Sequence, residues 1–244
     1  MVLILIADMP AGTGVLVHSR GRLLILTADH ILWNDDGTLR TGQLSFSMPH
    51  GAPSTQLRVP WQAVARNAEN DAAVVDLSSL HWDFEHDVEK HLQAATLQDE
   101  DLFIIHPHDA QMRRVTVHIS GFPSERSWID ETGNYVSPFT YSSAAPPSGL
   151  LKRARREYPV NHLVWMPPDG NKHVDTLEDA PRPVLSGASG GPWFLVQEEP
   201  SGPRLRLIAI HSHRRPFSFK STTHEVAVGI PLFAYSEFIR LPAE

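Results

Sequence analysis

Apolar runs in this chain are short, rich in Val, Ile and Leu, and broken at short intervals by turn residues. Such punctuation rules out long helices, which need an unbroken 3.6-residue periodicity and lose about 1–3 kcal/mol for each interior Gly or Pro. The breaks are dense, with 20 prolines and 15 glycines spread over 244 residues. Short β-branched runs bounded by turns read as strands. Val15–Val17 and Leu23–Leu26 flank Ser19-Arg20-Gly21-Arg22 and predict a hairpin. Further strands are expected at Gln43–Ser47, Leu57–Val59, Ala72–Leu77, Leu102–Ile105 and Val115–Ile119. Later ones are expected at Leu163–Met166, Trp193–Val196, Leu205–Ile210 and Val226–Ile230. Two helices are predicted, at Asp83–Gln93 and, near the C-terminus, at Phe233–Ile239. The expected fold class is all-β, because many short strands joined by loops close into sandwiches or barrels.

The opening Met1–Ile6 run is apolar but carries no basic leader, and Asp8 ends it early, so it reads as a buried strand and not as a signal peptide. No run approaches the length of a membrane-spanning helix. A cytoplasmic protein without a membrane partner is expected. The net charge of -7 argues against general nucleic-acid binding, which needs a basic face. The absence of cysteine excludes disulfides, a thiol nucleophile and a cysteine-ligated zinc site, and fits a reducing compartment.

Three motifs carry residue types suited to acyl transfer. Thr27-Ala28-Asp29-His30 closes an apolar strand. Asn70-Asp71-Ala72-Ala73-Val74-Val75-Asp76-Leu77 opens another. Ser186-Gly187-Ala188-Ser189-Gly190-Gly191-Pro192-Trp193 runs into a third. A serine hydroxyl is a poor nucleophile until a base takes its proton, and histidine suits that task because it titrates near neutrality. A carboxylate then fixes the imidazole tautomer. The developing oxyanion needs N–H donors aimed at one point, which a glycine-rich turn can supply.

In this order, T-A-x-H, D-x-A-V-x-x-L and G-x-S-G-G-P resemble the trypsin/chymotrypsin-like serine protease superfamily, and bacterial trypsin-like peptidases in particular. Gly12–Val17 resembles their opening hairpin, and Ser120-Gly121-Phe122-Pro123 resembles a strand end of their second barrel. The resemblance implies two antiparallel six-stranded Greek-key β-barrels with a short C-terminal helix. The N-terminal barrel (1–97) would carry His30 and Asp71. The C-terminal barrel (98–244) would carry Ser189 and the final helix. It implies a serine endopeptidase acting on protein or peptide substrates, with His30 as base then acid, Asp71 as its orienting carboxylate and Ser189 as nucleophile. The N–H groups of Gly187 and Ser189 would form the oxyanion hole. No cofactor is implied. Asp76 is the runner-up for the carboxylate, and Asp29 is expected to be solvated or a local cap. Ala188 stands where many digestive members carry the Asp that pairs with a newly cut N-terminus, so that activation route is closed. A regulatory protein partner is one way such a chain could be controlled.

By the same resemblance, His211, Ser212 and His213 would lie along the substrate-binding strand, with His211 where glutamate- and glutamine-specific relatives keep a pocket histidine. An imidazole there can donate to a carboxylate or amide oxygen, which implies Glu or Gln before the cut bond. The opposite wall, Val226–Gly229, has no Asp, which weakens a preference for basic residues. Two other readings compete. One is a catalytically inactive binding or scaffold module. The other is a metal hydrolase built on histidine pairs, His106-x-His108 and His211-x-His213, which fall on one face if the backbone is extended. With no H-E-x-x-H and no third ligand set by spacing, no metal is expected. The group His81, His86 and His91 reads as a solvated face, and the basic run Lys152–Arg156 as a charged loop, or alternatively as a partner-docking or self-cleavage segment.

Overall fold

The computed structural model describes residues 1–48, 56–78, 96–105, 116–122, 127–130, 133–136, 139–143, 162–165, 171–172, 179–180, 187–219 and 222–241. The expected helix at Asp83–Gln93, the histidines 81, 86, 91, 106 and 108, and the basic run 152–156 lie outside them.

The protein is mostly β, with a curled antiparallel sheet and a second sheet. The first sheet draws on β1 (Val2–Ile6), β2 (Met9–Ser19), β3 (Arg22–Ala28), β4 (Leu44–Ser47), β5 (Gln56–Val59), β6 (Val64–Asn67), β7 (Ala72–Asp76) and β8 (Leu97–Gln98). Its order is β5-β4-β1-β2-β3-β7-β6, with β8 paired parallel to β2. The β2–β3 hairpin closes at Ser19↔Arg22, with Arg20 and Gly21 both at positive φ. This is the two-residue turn whose twist matches that of the flanking strands.

The small pair β10 (Ser127–Asp130) and β11 (Gly133–Val136) forms a separate ribbon, as does β14 (Asn171–Lys172) with β15 (Asp179–Ala180). The second large sheet has six strands. They are β9 (Val117–Gly121), β12 (Phe139–Ser143), β13 (Leu163–Trp165), β16 (Pro192–Glu199), β17 (Gly202–Phe219) and β18 (Thr222–Pro231), in the order β12-β9-β16-β17-β18-β13. Val117, Ile119, Leu195, Ile208 and Trp193 bury one face of it. Leu16, Leu24, Leu26, Val74 and Phe46 fill the larger core of the first sheet.

Two expectations are corrected. Leu102–Ile105 is not a strand: Leu102 makes a single parallel bridge to Leu207, with Phe103 N–H donating to Leu207 O at 2.9 Å, and the ladder goes no further. The C-terminal helix is one 3-10 turn, Leu232–Tyr235, and does not continue as an α-helix to Ile239. Asn67 takes the Ala234 carbonyl that an α-helix would give to Phe238 N–H, which bonds Tyr235 O instead, and arginines from the first sheet bind the carbonyls that follow. Arg20 binds Ser236 O and Glu237 O, and Arg22 binds Phe238 O at 2.9 Å. The segment also packs on the first sheet. The buried Tyr235 hydroxyl donates to Thr27 O at 2.7 Å, and Asn67 donates to Ala234 O at 3.0 Å. This last stretch of chain therefore straps the second half of the sequence onto the first.

Among the described residues no helix is long and apolar enough to cross a membrane.

Candidate functional site

His30 sits on a four-residue helix, α1 (Asp29–Leu32), that follows β3 directly. Asp71 precedes β7, the strand that pairs with β3, and Ala28↔Ala72 is the last rung of that ladder. The ladder thus delivers both residues to one end of the sheet. His30 Nδ1 lies 3.0 Å and 3.1 Å from the two Asp71 carboxylate oxygens, and the His30 backbone N–H donates to Oδ1 at 3.1 Å. Asp71 itself is left-handed, with φ of +54° and ψ of +31°. Asp tolerates that region better than most residues, and such backbone is commoner at functional sites. Burial pushes the Asp71 carboxyl up, but hydrogen bonds from His30 and Ser212 and the charge of His30 outweigh it. The group is held below the usual carboxylate range.

Ser189 comes from the other half of the chain, on the turn that leads into β16. Gly187 and Gly190 adopt φ of +86° and +83°, and Gly191 N–H closes the turn on Ala188 O at 2.9 Å. Thr13 of β2 ties the turn to the first sheet. Its N–H donates to Ser189 O at 2.7 Å and its hydroxyl to Gly187 O at 3.1 Å. From β17, His211 O accepts from Gly190 N–H at 2.7 Å and His211 N–H donates to Gly191 O at 2.6 Å. Among the described residues the N–H groups of Gly187 and Ser189 donate to nothing. Ala188 is buried, and a Cβ on Gly121 would lie 2.8 Å from its Cα. A carboxylate at position 188 would have neither water nor space there.

Ser212 joins the two halves. Along β17 the register slips at this point: His211 pairs with Gly229 and His213 with Val228. Ser212 is the extra residue of a β-bulge, free of the ladder. Its hydroxyl donates to Asp71 Oδ2, and its carbonyl accepts the Ser189 hydroxyl at 2.6 Å. Ser189, Ser212, Asp71 and His30 form one hydrogen-bonded chain. In this arrangement the Ser189 hydroxyl points to Ser212 O and makes no hydrogen bond to His30 among the described residues.

The two histidines beside Ser212 do not form a metal pair. His211 is buried at 1% exposure, its ring stacked on Trp193 with centroids 6.1 Å apart. Trp193 Nε1–H donates to His211 Nδ1 at 3.3 Å. Burial above all, with His213, Arg214 and His30 adding repulsion, pushes His211 down to about 3, so the ring is neutral and carries its proton on Nε2. His213 instead turns its Nδ1 to the Ser212 hydroxyl at 2.6 Å. Among the described residues no group of three His, Cys, Asp or Glu side chains could hold a metal ion.

The other acids take different places. Asp76 is bound by Arg22 at 3.1 Å and by Ser78 N–H at 3.0 Å, away from His30. Asp29 is neither solvated nor a cap. It is buried 3.4 Å from Arg66, whose guanidinium covers the Trp33 ring, and its N–H donates to Asp71 O at 2.8 Å. Burial raises its carboxyl, with Arg66 opposing. Reading the sequence missed His162, a buried imidazole close enough to Asp71 to feel its charge. A lone histidine before a three-residue strand carries no periodic signal that could have flagged it.

Burial of neutral imidazoles predicts acid lability. Burial first, then Arg215, pushes His213 down to about 4, against about 3 for His211, and burial lowers His162 too. Unfolded, these rings take up protons below about pH 6.5, so stability is full above that value and falls as pH drops toward the folded values. His211 should remove about 2 kcal/mol between pH 7 and pH 5, and the partly exposed His213 less, because solvent screens it. Asp29, raised by burial, works weakly in the opposite sense. Urea midpoints at the two pH values measure the loss, and equal midpoints would contradict neutral burial.

No family model matches the chain, and no curated protein matches it.

Proposed function

We propose that the chain is a hydrolase using a nucleophilic serine activated by a His–Asp pair. More specifically, we read it as a serine endopeptidase of the trypsin/chymotrypsin-like kind, its two large sheets being the two Greek-key barrels of that fold and its site lying between them. One observation carries this reading. His30, Asp71 and Ser189, from three distant stretches of sequence, meet in a single hydrogen-bonded chain through Ser212.

The mechanism follows from the contacts. Asp71, ionised and bidentate on His30 Nδ1–H, leaves the Nε2 lone pair free to act as base. Ser189 reaches it by rotating off Ser212 O. A substrate laid as an extra strand along β17 offers a backbone N–H to that same carbonyl, which displaces the hydroxyl and frees it for His30. Attack on the scissile carbonyl builds an oxyanion beside the N–H groups of Gly187 and Ser189. His30 then protonates the leaving amine, and water hydrolyses the acyl-enzyme. The neutral His211, with Nδ1 occupied by Trp193, offers an N–H donor. A neutral donor matches an amide oxygen at least as well as a carboxylate, so the preference is for Gln, then Glu, before the cut bond. No cofactor takes part. The substrate is a protein or peptide, and the chain works in the cytoplasm under the control of a regulatory protein partner.

The test is a fluorophosphonate probe followed by peptide mapping. The expected adduct is on Ser189, absent from Ser189→Ala and from denatured protein. A folded chain that stays unlabelled and cleaves nothing in a proteome-derived peptide library sinks the proposal and favours a binding module. Cleavage after Arg or Phe would overturn the role given to His211.

A further inference from the structure

Hydrogen-bond stoichiometry around Ser212 decides a tautomer. The Ser212 hydroxyl has one proton, and it is given to Asp71 Oδ2. His213 Nδ1 lies 2.6 Å from the same oxygen, so the proton in that second contact must come from the imidazole. His213 is therefore an Nδ1–H ring with a bare Nε2. Consistent with this, Nε2 of His213 is buried with no partner among the described residues. The groups felt by His213 are Arg215, Asp71, His30 and His162, and none of them hydrogen-bonds that nitrogen.

We propose that His213 is a positioning residue for the reaction: its Nδ1–H holds the Ser212 oxygen so that the Ser212 proton stays on Asp71, and Asp71 is thereby gripped by one imidazole directly and by a second through a serine. This rests on the hydrolase reading above and assigns His213 to the carboxylate side of the site instead of to the substrate. Without the Nδ1–H donor, the Ser212 hydroxyl is free to rotate toward other acceptors. Asp71 then loses the donor that fixes its second oxygen, and the orientation of His30 loosens.

The test pairs an activity-independent readout with kinetics. Nitrogen-15 NMR of His213 in the full chain should show Nδ1 protonated and Nε2 bare, and Ser212→Ala should abolish that preference. His213→Phe keeps an aromatic ring but no donor, and should lower kcat about tenfold with KM nearly unchanged, the loss expected for one hydrogen bond linked to a charged group. His213→Asn places an N–H donor on the same carbon as Nδ1 and should recover most of that loss. An Nε2–H tautomer in the wild type overturns the proposal, as does a His213→Phe enzyme with unchanged kcat, or equal losses in Phe and Asn variants of equal stability. A wild type with no turnover at all sinks the hydrolase reading, and this role for His213 falls with it. In that case the NMR result reports only the hydrogen bond.

Discussion

Asp71→Asn should lower kcat by about 10⁴-fold while leaving the protein folded. The substitution is unusually clean at this position. Asp71 occupies left-handed backbone, φ +54° and ψ +31°, which Asn adopts as readily as Asp. Asn Oδ1 can still accept the His30 backbone N–H that Asp71 accepts at 3.1 Å. What changes is the second contact. An amide N–H facing His30 Nδ1 forces that nitrogen to accept, so the imidazole proton moves to Nε2 and the base has no lone pair left for Ser189. On the proposed mechanism, the imidazolium formed at His30 also loses its counter-charge. Steady-state kinetics with a thermal melt separate these effects from unfolding. A variant retaining more than about a tenth of wild-type kcat would show that Asp71 does not orient the base. Asp76, bound to Arg22 and Ser78, offers no substitute.

Gly190→Ala should be the most destructive added methyl among the described glycines. Gly190 has φ of +83°, and a Cβ built there would lie 1.8 Å from Thr13 O and 2.3 Å from Thr27 Oγ1. Neither neighbour can step aside cheaply. Thr13 O is backbone and accepts the Thr27 hydroxyl at 2.7 Å, while Thr13 N–H holds Ser189 O and the Thr13 hydroxyl holds Gly187 O and Phe122 N–H. The added methyl therefore drives apart the seam joining the nucleophile turn to the first sheet. The expected cost exceeds about 4 kcal/mol, near the whole stability of a marginal domain. The variant should accumulate as insoluble or unfolded chain, and any folded fraction should fail to react with the fluorophosphonate probe. Soluble protein with a wild-type urea midpoint would refute the packing around Gly190.

The strands were largely readable because they depend on local pattern. Val2–Ile6, the β2–β3 hairpin and the apolar runs at 72–76 and 226–230 are β-branched, short and bounded by turns, and each forms a strand. Errors fell where tertiary partners overruled local preference. Phe233–Ile239 has helix-like spacing, yet Asn67, far away in sequence, captures the Ala234 carbonyl that Phe238 N–H would need. His211 and His213 share a face in an extended strand, yet the bulge at Ser212 gives them different partners. A bulge is set by pairing with β18, and no local signal announces it.

The order of three short motifs and their resemblance to a known family pattern were enough to nominate His30, Asp71 and Ser189, of which only the serine sits on a glycine-rich turn. Their distances were not written in the sequence. The contact between His30 and Asp71 depends on the register of β3 against β7, and that of Ser189 with Ser212 on how Thr13 and β17 hold the nucleophile turn. The charge state of the buried histidines was likewise beyond the sequence, since desolvation and hydrogen-bond direction exist only once the chain has closed around them.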